Sequence, residues 1–260
     1  MALTYLNYLK VNDLLSLQQP RSKPEEHDEL LFIIIHQTYE LWFKQILHEL
    51  EQLRVELKDG HTWNSIKTMR RILVIMKTVV GQTDILETMT PLSFSHFRGF
   101  LENASGFQSV QFREMEALCG WHTRRSLKLH EHDSVAYQAL LRRMDEPTIW
   151  ESFCEFLETK NYEVEKPERM ERDGVIFDPS ESTQSILIDI MNNDPETALL
   201  CEHLVDFDEG LQEWRYRHVK MVERTIGTKI GTGGSDGVEY LKGTLHNPIF
   251  PDLWAIRKEL

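Results

Sequence analysis

Apolar positions recur every three to four residues along most of the chain, which is the spacing of amphipathic α-helices. The clearest case lies between Ser22 and Gly60. The start of a helix is indicated by the combination of Ser22, Pro24 and Glu25, which is typical of a helix N-terminus. Its end is indicated by Gly60, because a glycine can adopt the left-handed conformation that ends a helix. We therefore predict one long helix from about Ser22 to just before Gly60.

The rest of the chain shows the same spacing in shorter segments. A short, aromatic-rich amphipathic helix is predicted within residues 1–20. Further helices are predicted for residues 63–80, 84–89, 107–118, 147–165, 182–193, 195–210 and 211–226. Residues 166–182 combine proline, glycine and many charges, which predicts a loop. Because no segment shows apolar–polar alternation with hairpin turns, we predict an all-α fold.

Composition and charge narrow the classes of function. The 260-residue chain is 41% hydrophobic and 27% charged, values typical of a soluble globular protein. Its formal net charge of -13 argues against nucleic-acid and anionic-membrane partners. No apolar run reaches membrane-spanning length and the N-terminus lacks a signal-peptide pattern, so we expect a cytoplasmic protein. Cys119, Cys154 and Cys201 are isolated, and we expect them to be reduced structural thiols.

Two histidines lie on the apolar faces of predicted helices. His36 follows Phe32 by four residues, so the two side chains share a helix face among isoleucine, leucine and tryptophan. His218 shares a face with Leu211 and Trp214. Each imidazole is either a hydrogen-bonded core histidine, which is the commoner case, or a polar group in an apolar pocket.

Arg98 lies in a similarly apolar setting, between Phe94, Phe97 and further apolar residues. A guanidinium buried there must be paired with an anion, either an internal carboxylate or the carboxylate of a ligand. Ser105 and Gly106 interrupt the helical pattern that follows and allow backbone amides to approach a ligand closely.

Two further stretches carry weaker signals. The sequence GTGGSDG, which contains Thr232 and Ser235, matches neither the P-loop nor the dinucleotide-binding motif. A loop that offers hydroxyls and backbone amides to a polar ligand remains open. His122, His130 and His132 lie in a polar stretch, and because neighbouring helix positions point apart, we interpret them as exposed surface rather than a metal site.

Histidines on two different helices of an all-α protein favour a haem site, in which one neutral imidazole binds the iron. The competing carboxylate-bridged di-iron bundle needs Glu-x-x-His on two helices, and the sequence contains no such motif. It contains no Cys-x-x-Cys-His either, which excludes covalently attached haem. From spacing alone, haem remains one hypothesis beside that of two ordinary core histidines.

Four motifs, in this order, closely resemble the tryptophan 2,3-dioxygenase family: HDELLFIIIHQTYELWFKQILHELE, FRGFLENASGFQSVQFRE, LQEWRYRHVKMVERTIG and GTGGSDGVEYL. The resemblance runs from LTYLNYLKVNDLL to the FPDLW near the C-terminus and is thin between about residues 120 and 195. It implies a single all-helical domain over residues 1–260. It also implies a homotetramer with one non-covalent b-type haem per subunit.

The resemblance assigns roles to residues that match the family motifs. His218 would be the proximal iron ligand, and His36 the distal histidine that accepts a hydrogen bond from the indole N–H. Phe32 would pack on the indole ring. Arg98 would hold the substrate carboxylate through two hydrogen bonds. Thr232 would contact the substrate ammonium and carboxylate groups.

Other matching residues would complete the pocket. Ser105 and Gly106 would lie beside the haem on its distal side. Tyr5, Tyr8 and Leu9 match residues that the family contributes to the pocket of a neighbouring subunit, so the N-terminal helix is expected to dock there.

The implied reaction inserts both atoms of molecular oxygen into L-tryptophan and opens the indole ring, giving N-formylkynurenine. The chain departs from the family pattern at Phe94 and Phe112, where tyrosines are expected, and at Thr83, where a tryptophan is expected. A lost hydroxyl contact to a charged group costs about 1.5–3 kcal/mol. A pocket for a substituted tryptophan is therefore one alternative. The related alternative reaction is that of a monooxygenase, which converts tryptophan or β-methyltryptophan to an oxindole in secondary metabolism. A third hypothesis is a non-catalytic haem-binding sensor, against which Arg98 and Thr232 argue.

Overall fold

The computed structural model describes residues 2–227 and 238–260, and within them helices predominate, as predicted. The α-helices are α1 (Tyr5–Tyr8), α2 (Val11–Leu14), α3 (His27–Lys58), α4 (Thr62–Leu86), α5 (Pro91–Arg98), α6 (Val110–Leu118), α7 (Arg124–Leu129), α8 (Ser134–Asp145), α9 (Ile149–Thr159), α10 (Glu181–Asn193), α11 (Pro195–Ile226), α12 (Val238–Gly243) and α13 (Pro251–Ala255). Short 3-10 turns are formed by Gly99–Leu101, Gly106–Gln108 and Ile256–Lys258. Two short strands, β1 (Trp121–His122) and β2 (Gly174–Val175), pair antiparallel.

The three long helices build the centre of the molecule, where α4 packs against both α3 and α11. Their apolar positions recur at helical spacing and are removed from water. On α3 and α4 the most deeply buried apolar side chains are Ile46, Leu50, Leu53, Leu57, Met69, Ile72, Met76 and Val79. Each large aliphatic side chain buried in this way contributes about 1.5–3 kcal/mol of transfer free energy. The long helices therefore form a rigid frame for side chains between them.

The long helix α3 begins later than the sequence predicts, at His27 rather than Ser22. The hydroxyl of Ser22 does accept a hydrogen bond from a backbone N–H, that of Glu26, but this residue precedes the first turn. The carboxylate of Glu29 instead accepts the backbone N–H groups of Arg21 and Ser22 at 2.8 and 2.9 Å. The helix thus binds the preceding segment through its own side chain. The predicted end is confirmed, since Gly60 has a φ of +71°.

Two helices are continuous where the sequence predicts breaks. α4 passes through Gly81 and ends at Leu86, and α11 passes through Gly210. Burial against neighbouring helices outweighs the roughly 1 kcal/mol that a glycine costs inside a helix. A Cβ at position 210 would lie 3.8 Å from the Cβ of Met76, so this glycine lies where α11 closely approaches α4.

The N-terminal segment forms two short helices, α1 and α2, instead of one. Its end is attached to α3, because the side-chain amide of Gln37 donates to the carbonyl of Leu17 and accepts from Gln18 at 2.6 Å. The segment itself carries a row of exposed apolar side chains: Leu3, Tyr5, Leu6, Tyr8, Leu9, Leu14, Leu15 and Leu17.

The polar stretch after α6 is less exposed than predicted. His130 is only 6% exposed and His122 is half-buried, while His132 is exposed. The reason is tertiary: β2, from the predicted loop, pairs with β1, and α8 packs against α6. The three cysteines are free and buried, as expected for structural thiols.

Asp208 of α11 fixes the C-terminal part of the chain. Its carboxylate accepts hydrogen bonds from the backbone N–H groups of Ile249 and Phe250 and from the indole of Trp254, at 2.9, 3.1 and 2.9 Å. None of the helices in the described ranges is long and apolar enough to cross a lipid bilayer.

Candidate functional site

The two histidines singled out in the sequence line the same pair of adjoining cavities. The first cavity is lined by Phe32, Phe94, Arg98 and other residues, and the second by Phe112, Arg113, Trp214 and others. Seven residues line both cavities: His36, Leu86, Gly106, Phe107, His218, Met221 and Leu241. The empty space in each cavity, part of which is open to solvent, is about 830 Å³.

His36 lies on α3, and the geometry fixes which ring nitrogen carries its proton. Its Nδ1 lies 2.7 Å from the backbone carbonyl oxygen of Phe32. A carbonyl can only accept, so Nδ1–H donates, and Nε2 keeps a lone pair. Burial lowers the pKa of His36, against the opposing effects of this hydrogen bond and of Glu40. At neutral pH the imidazole is therefore uncharged and can accept a hydrogen bond through Nε2.

His218 lies near the end of α11, and its ring stacks on Trp214 with centroids 5.1 Å apart and an interplanar angle of 13°. Burial, with smaller effects from His36 and Arg113, lowers the pKa of His218 to about 4. In the described ranges, no hydrogen bond engages either ring nitrogen of His218. A neutral imidazole with an uncommitted lone pair on a largely apolar cavity has the properties of a metal ligand.

An aromatic wall borders the first cavity. The ring of Phe32 lies 4.1 Å from that of His36, 5.7 Å from Phe94 and 5.6 Å from Phe97, measured between centroids. Phe97 is fully buried and supports the other two rings from behind. The wall has no hydroxyl group, so it suits a flat apolar ring.

Arg98 is the last residue of α5 and lines the first cavity beside Phe94. The sequence places it in so apolar a setting that burial is expected, but the structure leaves it half-buried. The desolvation cost of its charge is therefore smaller than the sequence indicates. Its position on the cavity wall fits the predicted role of binding a ligand carboxylate.

Ser105 and Gly106 also lie on the first cavity, where they begin a 3-10 turn. The side chains of Ser105 and Gln108 form a reciprocal capping box around this turn. Within the described part of the chain, no atom beyond its immediate neighbours lies within 4 Å of the place that a Cβ on Gly106 would occupy. Gly106 therefore borders open space on both cavities, as expected for close backbone approach to a ligand.

One predicted site residue, Thr232, lies outside the described ranges. Three others are not on the cavities. Tyr5, Tyr8 and Leu9 are 73%, 70% and 45% exposed and line neither cavity of their own chain. Whether they complete a neighbouring subunit's pocket stays a prediction.

The structure places Phe112 on the second cavity and adds two arginines that sequence reasoning missed. Phe112, which stands at a position expected to be tyrosine, packs against Trp214 with ring centroids 4.6 Å apart. Arg113 and Arg215 also line the second cavity, where both bind Glu116. The spacing of Arg113 and Glu116 permits an ion pair on one helix face, but nothing in the sequence shows that the pair is buried.

The chain is similar to known proteins along most of its length. A family model described as tryptophan 2,3-dioxygenase matches residues 1–149 and 181–260. The protein named tryptophan 2,3-dioxygenase from Herpetosiphon aurantiacus is 53% identical, over 100% of this chain and 99% of its own length. The protein of that name from Anaeromyxobacter dehalogenans is 51% identical, over 100% and 97%. One from an Arthrobacter species is 40% identical, over 99% and 92%.

Proposed function

The chain belongs to the tryptophan 2,3-dioxygenase family, and we propose that it opens the indole ring of L-tryptophan by haem-dependent 2,3-dioxygenation to N-formylkynurenine. The observation that carries the proposal is the meeting of two neutral imidazoles, an aromatic wall and a guanidinium on one cavity system. Both oxygen atoms enter the product, so the overall reaction consumes no external reductant.

The cavities fit a haem group, which we propose to be non-covalent haem b, one per subunit. His218 supplies the neutral nitrogen that haem iron requires, and the stacked Trp214 fixes the plane of its ring. The walls around the two imidazoles are largely apolar, as a porphyrin requires. When bound, haem iron supplies the binding and activation of molecular oxygen.

The protein's own residues would orient the amino acid. Arg98 would bind the carboxylate, with Thr232 beside it, and Phe32 would lie against the indole ring. The unprotonated Nε2 of His36 would accept the indole N–H hydrogen bond. As electrons leave the C2–C3 bond for oxygen, that N–H becomes more acidic, so an acceptor fixed by the Phe32 carbonyl stabilises the transition state more than the ground state.

A monooxygenase that makes an oxindole from tryptophan or β-methyltryptophan is the second candidate. The observation in its favour is Phe94, which gives the first cavity an apolar wall next to Arg98 where the family has a tyrosine. That wall could face a methyl group on the substrate's Cβ. Such a reaction needs a two-electron donor for the second oxygen atom. Two observations argue against a non-catalytic sensor: the enzymes that this chain resembles, and an arginine on the cavity wall.

We also propose that the protein acts as a homotetramer in which the N-terminal segment completes a neighbouring pocket. Tyr5 and Tyr8 are more than two-thirds exposed, although aromatic side chains gain much from burial. The attachment of Gln18 to Gln37 leaves the preceding residues projecting from α3 with their apolar side chains uncovered. Size-exclusion chromatography of the intact chain and of a variant lacking residues 2–16 tests this arrangement. A tetramer in the truncated variant, with unchanged KM, would contradict it.

Product analysis tests the proposed reaction. The reduced, haem-loaded protein is incubated with L-tryptophan, and separately with β-methyltryptophan, in the presence of oxygen. Mass spectrometry should show tryptophan with two added oxygen atoms, whereas an oxindole gains one. A product with one added oxygen from either substrate would replace the first proposal by the second.

A His218→Ala variant tests the iron ligand. Removing the only imidazole nitrogen proposed to bind iron should abolish stable haem binding, measured as haem content per chain after purification. His48→Ala, at an exposed position of α3, is the matched control and should retain haem. Normal haem content in the His218 variant would refute the assignment.

A further inference from the structure

The second cavity contains a buried ionic cluster with unequal charges. Arg113, Glu116 and Arg215 are 9%, 3% and 4% exposed. The carboxylate of Glu116 binds an Nη of Arg113 through one oxygen and Nη2 of Arg215 through the other, the latter at 2.9 Å. One carboxylate thus serves two guanidinium groups, which leaves one positive charge in excess within the cluster. Buried charges are costly unless they are paired.

Arg215 is held by contacts from several parts of the chain. Besides Glu116, it donates to the backbone carbonyl of Thr244 at 3.4 Å, and its guanidinium carbon lies 4.3 Å from the centroid of Trp121. These contacts connect α11 to β1 and to the segment after α12. We interpret Arg215 as a structural residue.

Arg113 has unused hydrogen-bonding capacity. Of its five N–H donors, the described residues engage one, through Glu116, and its Nε is buried without a partner. Its guanidinium lies over Phe112 and Phe107, 5.2 and 5.9 Å from the ring centroids. The two rings hold the planar group in place but satisfy none of its donors.

The remaining carboxylate on the second cavity does not neutralise Arg113. Glu40 is half-buried, accepts a hydrogen bond from the amide of Gln111 at 2.8 Å, and forms no ion pair with either arginine of the cluster. The cavity therefore has an electropositive end.

We propose that Arg113 binds a carboxylate side chain of the haem, an inference that rests on the proposed haem-dependent function. Haem b carries two propionates, and arginine binds carboxylates with two parallel hydrogen bonds. Arg98 lines only the first cavity, Arg113 only the second, and His218 lines both. A group bound at His218 would thus border the same cavity as Arg113 and would not compete for the arginine proposed to bind the amino acid.

The test distinguishes the contribution of the porphyrin's negative charges to binding from that of its apolar ring. The full-length protein is titrated with ferric protoporphyrin IX and with its dimethyl ester, which keeps the ring and iron but lacks the negative charges. Binding is followed by Soret absorbance and by quenching of tryptophan fluorescence. We expect Arg113→Gln to raise the dissociation constant for the acid about 10- to 100-fold, the effect of one lost charge-assisted contact, and to change that for the ester less than about threefold.

Two further variants serve as controls. Arg113→Lys keeps the charge but lacks the planar guanidinium group. Its dissociation constant for the acid should lie between those of wild type and Arg113→Gln. Arg215→Gln removes an equal buried charge that also binds Glu116, so it should affect the two porphyrins alike. Circular dichroism of each variant checks folding.

The outcomes distinguish the role of Arg113 from the function on which it rests. Equal weakening of acid and ester in Arg113→Gln, or a wild-type protein that binds the ester as tightly as the acid, overturns the role of Arg113 alone. The second outcome needs no variant to fold. A wild-type protein that binds neither porphyrin overturns the haem function itself, and the role of Arg113 with it.

Discussion

Replacing His218 with phenylalanine in the haem-free protein should remove a pH-dependent loss of stability. Phenylalanine keeps a ring that can stack on Trp214 but cannot titrate. In the folded protein, burial holds the pKa of His218 at about 4, compared with 6.5 for the free side chain. As the pH falls from 6.5 to 4, the unfolded chain gains a proton that the folded chain does not, so stability decreases over this range. The full loss in the free energy of unfolding is about 3 kcal/mol, because a pKa difference of one corresponds to about 1.36 kcal/mol.

The assay is urea denaturation followed by circular dichroism at several pH values between 4 and 8, with the free energy of unfolding extrapolated to water. Carboxylates and other groups that titrate in both proteins contribute equally to the pH dependence of both stabilities. Their contributions therefore cancel in the difference between wild type and variant. The free energy of unfolding of wild type minus that of the variant should fall by about 3 kcal/mol from pH 7 to pH 4. His48→Phe is the control, because this exposed side chain is in water in both states. A difference between wild type and His218→Phe that is constant with pH would refute a buried, neutral imidazole at position 218.

The remaining predictions concern the substrate wall and the frame. His36→Ala should leave haem bound and reduce kcat/KM about 5- to 150-fold through the loss of one hydrogen bond to the indole; loss of haem would mean that the two imidazoles have exchanged roles. Arg98→Leu should raise KM about 10- to 150-fold and leave the Soret spectrum unchanged. A Soret spectrum that changes together with KM would show that Arg98 is structural. Phe94→Tyr should lower KM for tryptophan while impairing any turnover of β-methyltryptophan, measured by paired steady-state kinetics; unchanged values for both would remove Phe94 from the specificity wall. Asp208→Ala leaves two buried backbone N–H groups and the part-buried indole N–H of Trp254 without an acceptor, and should lower the free energy of unfolding by about 3 kcal/mol. A loss below about 1 kcal/mol would contradict the role of Asp208 as the C-terminal anchor.

The helical periodicity predicts most of the architecture. The all-α class and the end of α3 at Gly60 are confirmed. The predictions are wrong where a contact distant in sequence overrides a local signal. Gly81 and Gly210 have the residue type of helix ends, yet packing between α4 and α11 keeps both helices continuous. Ser22 has the residue type of a helix cap, but Glu29 binds the segment that contains it.

The candidate site is only partly predictable in the same way. The residue types at His36 and His218 and their places on apolar helix faces are properties of the sequence, and so is the resemblance of their motifs to a family. The burial of His130, and the ion pair between Glu116 of α6 and Arg215 of α11, depend on elements that meet only in the folded chain.

The sequence by itself thus determined the helical class, the family and the identity of the chemical groups, because periodicity and motifs depend on residues close together in the chain. Only the tertiary structure decided that His218 stays uncharged and that Glu116 of α6 binds Arg215 of α11 as well as its helix neighbour Arg113. Protonation and pairing depend on which groups exclude water from a side chain. In this protein those groups come from α3, α4, α6 and α11, which lie far apart in sequence.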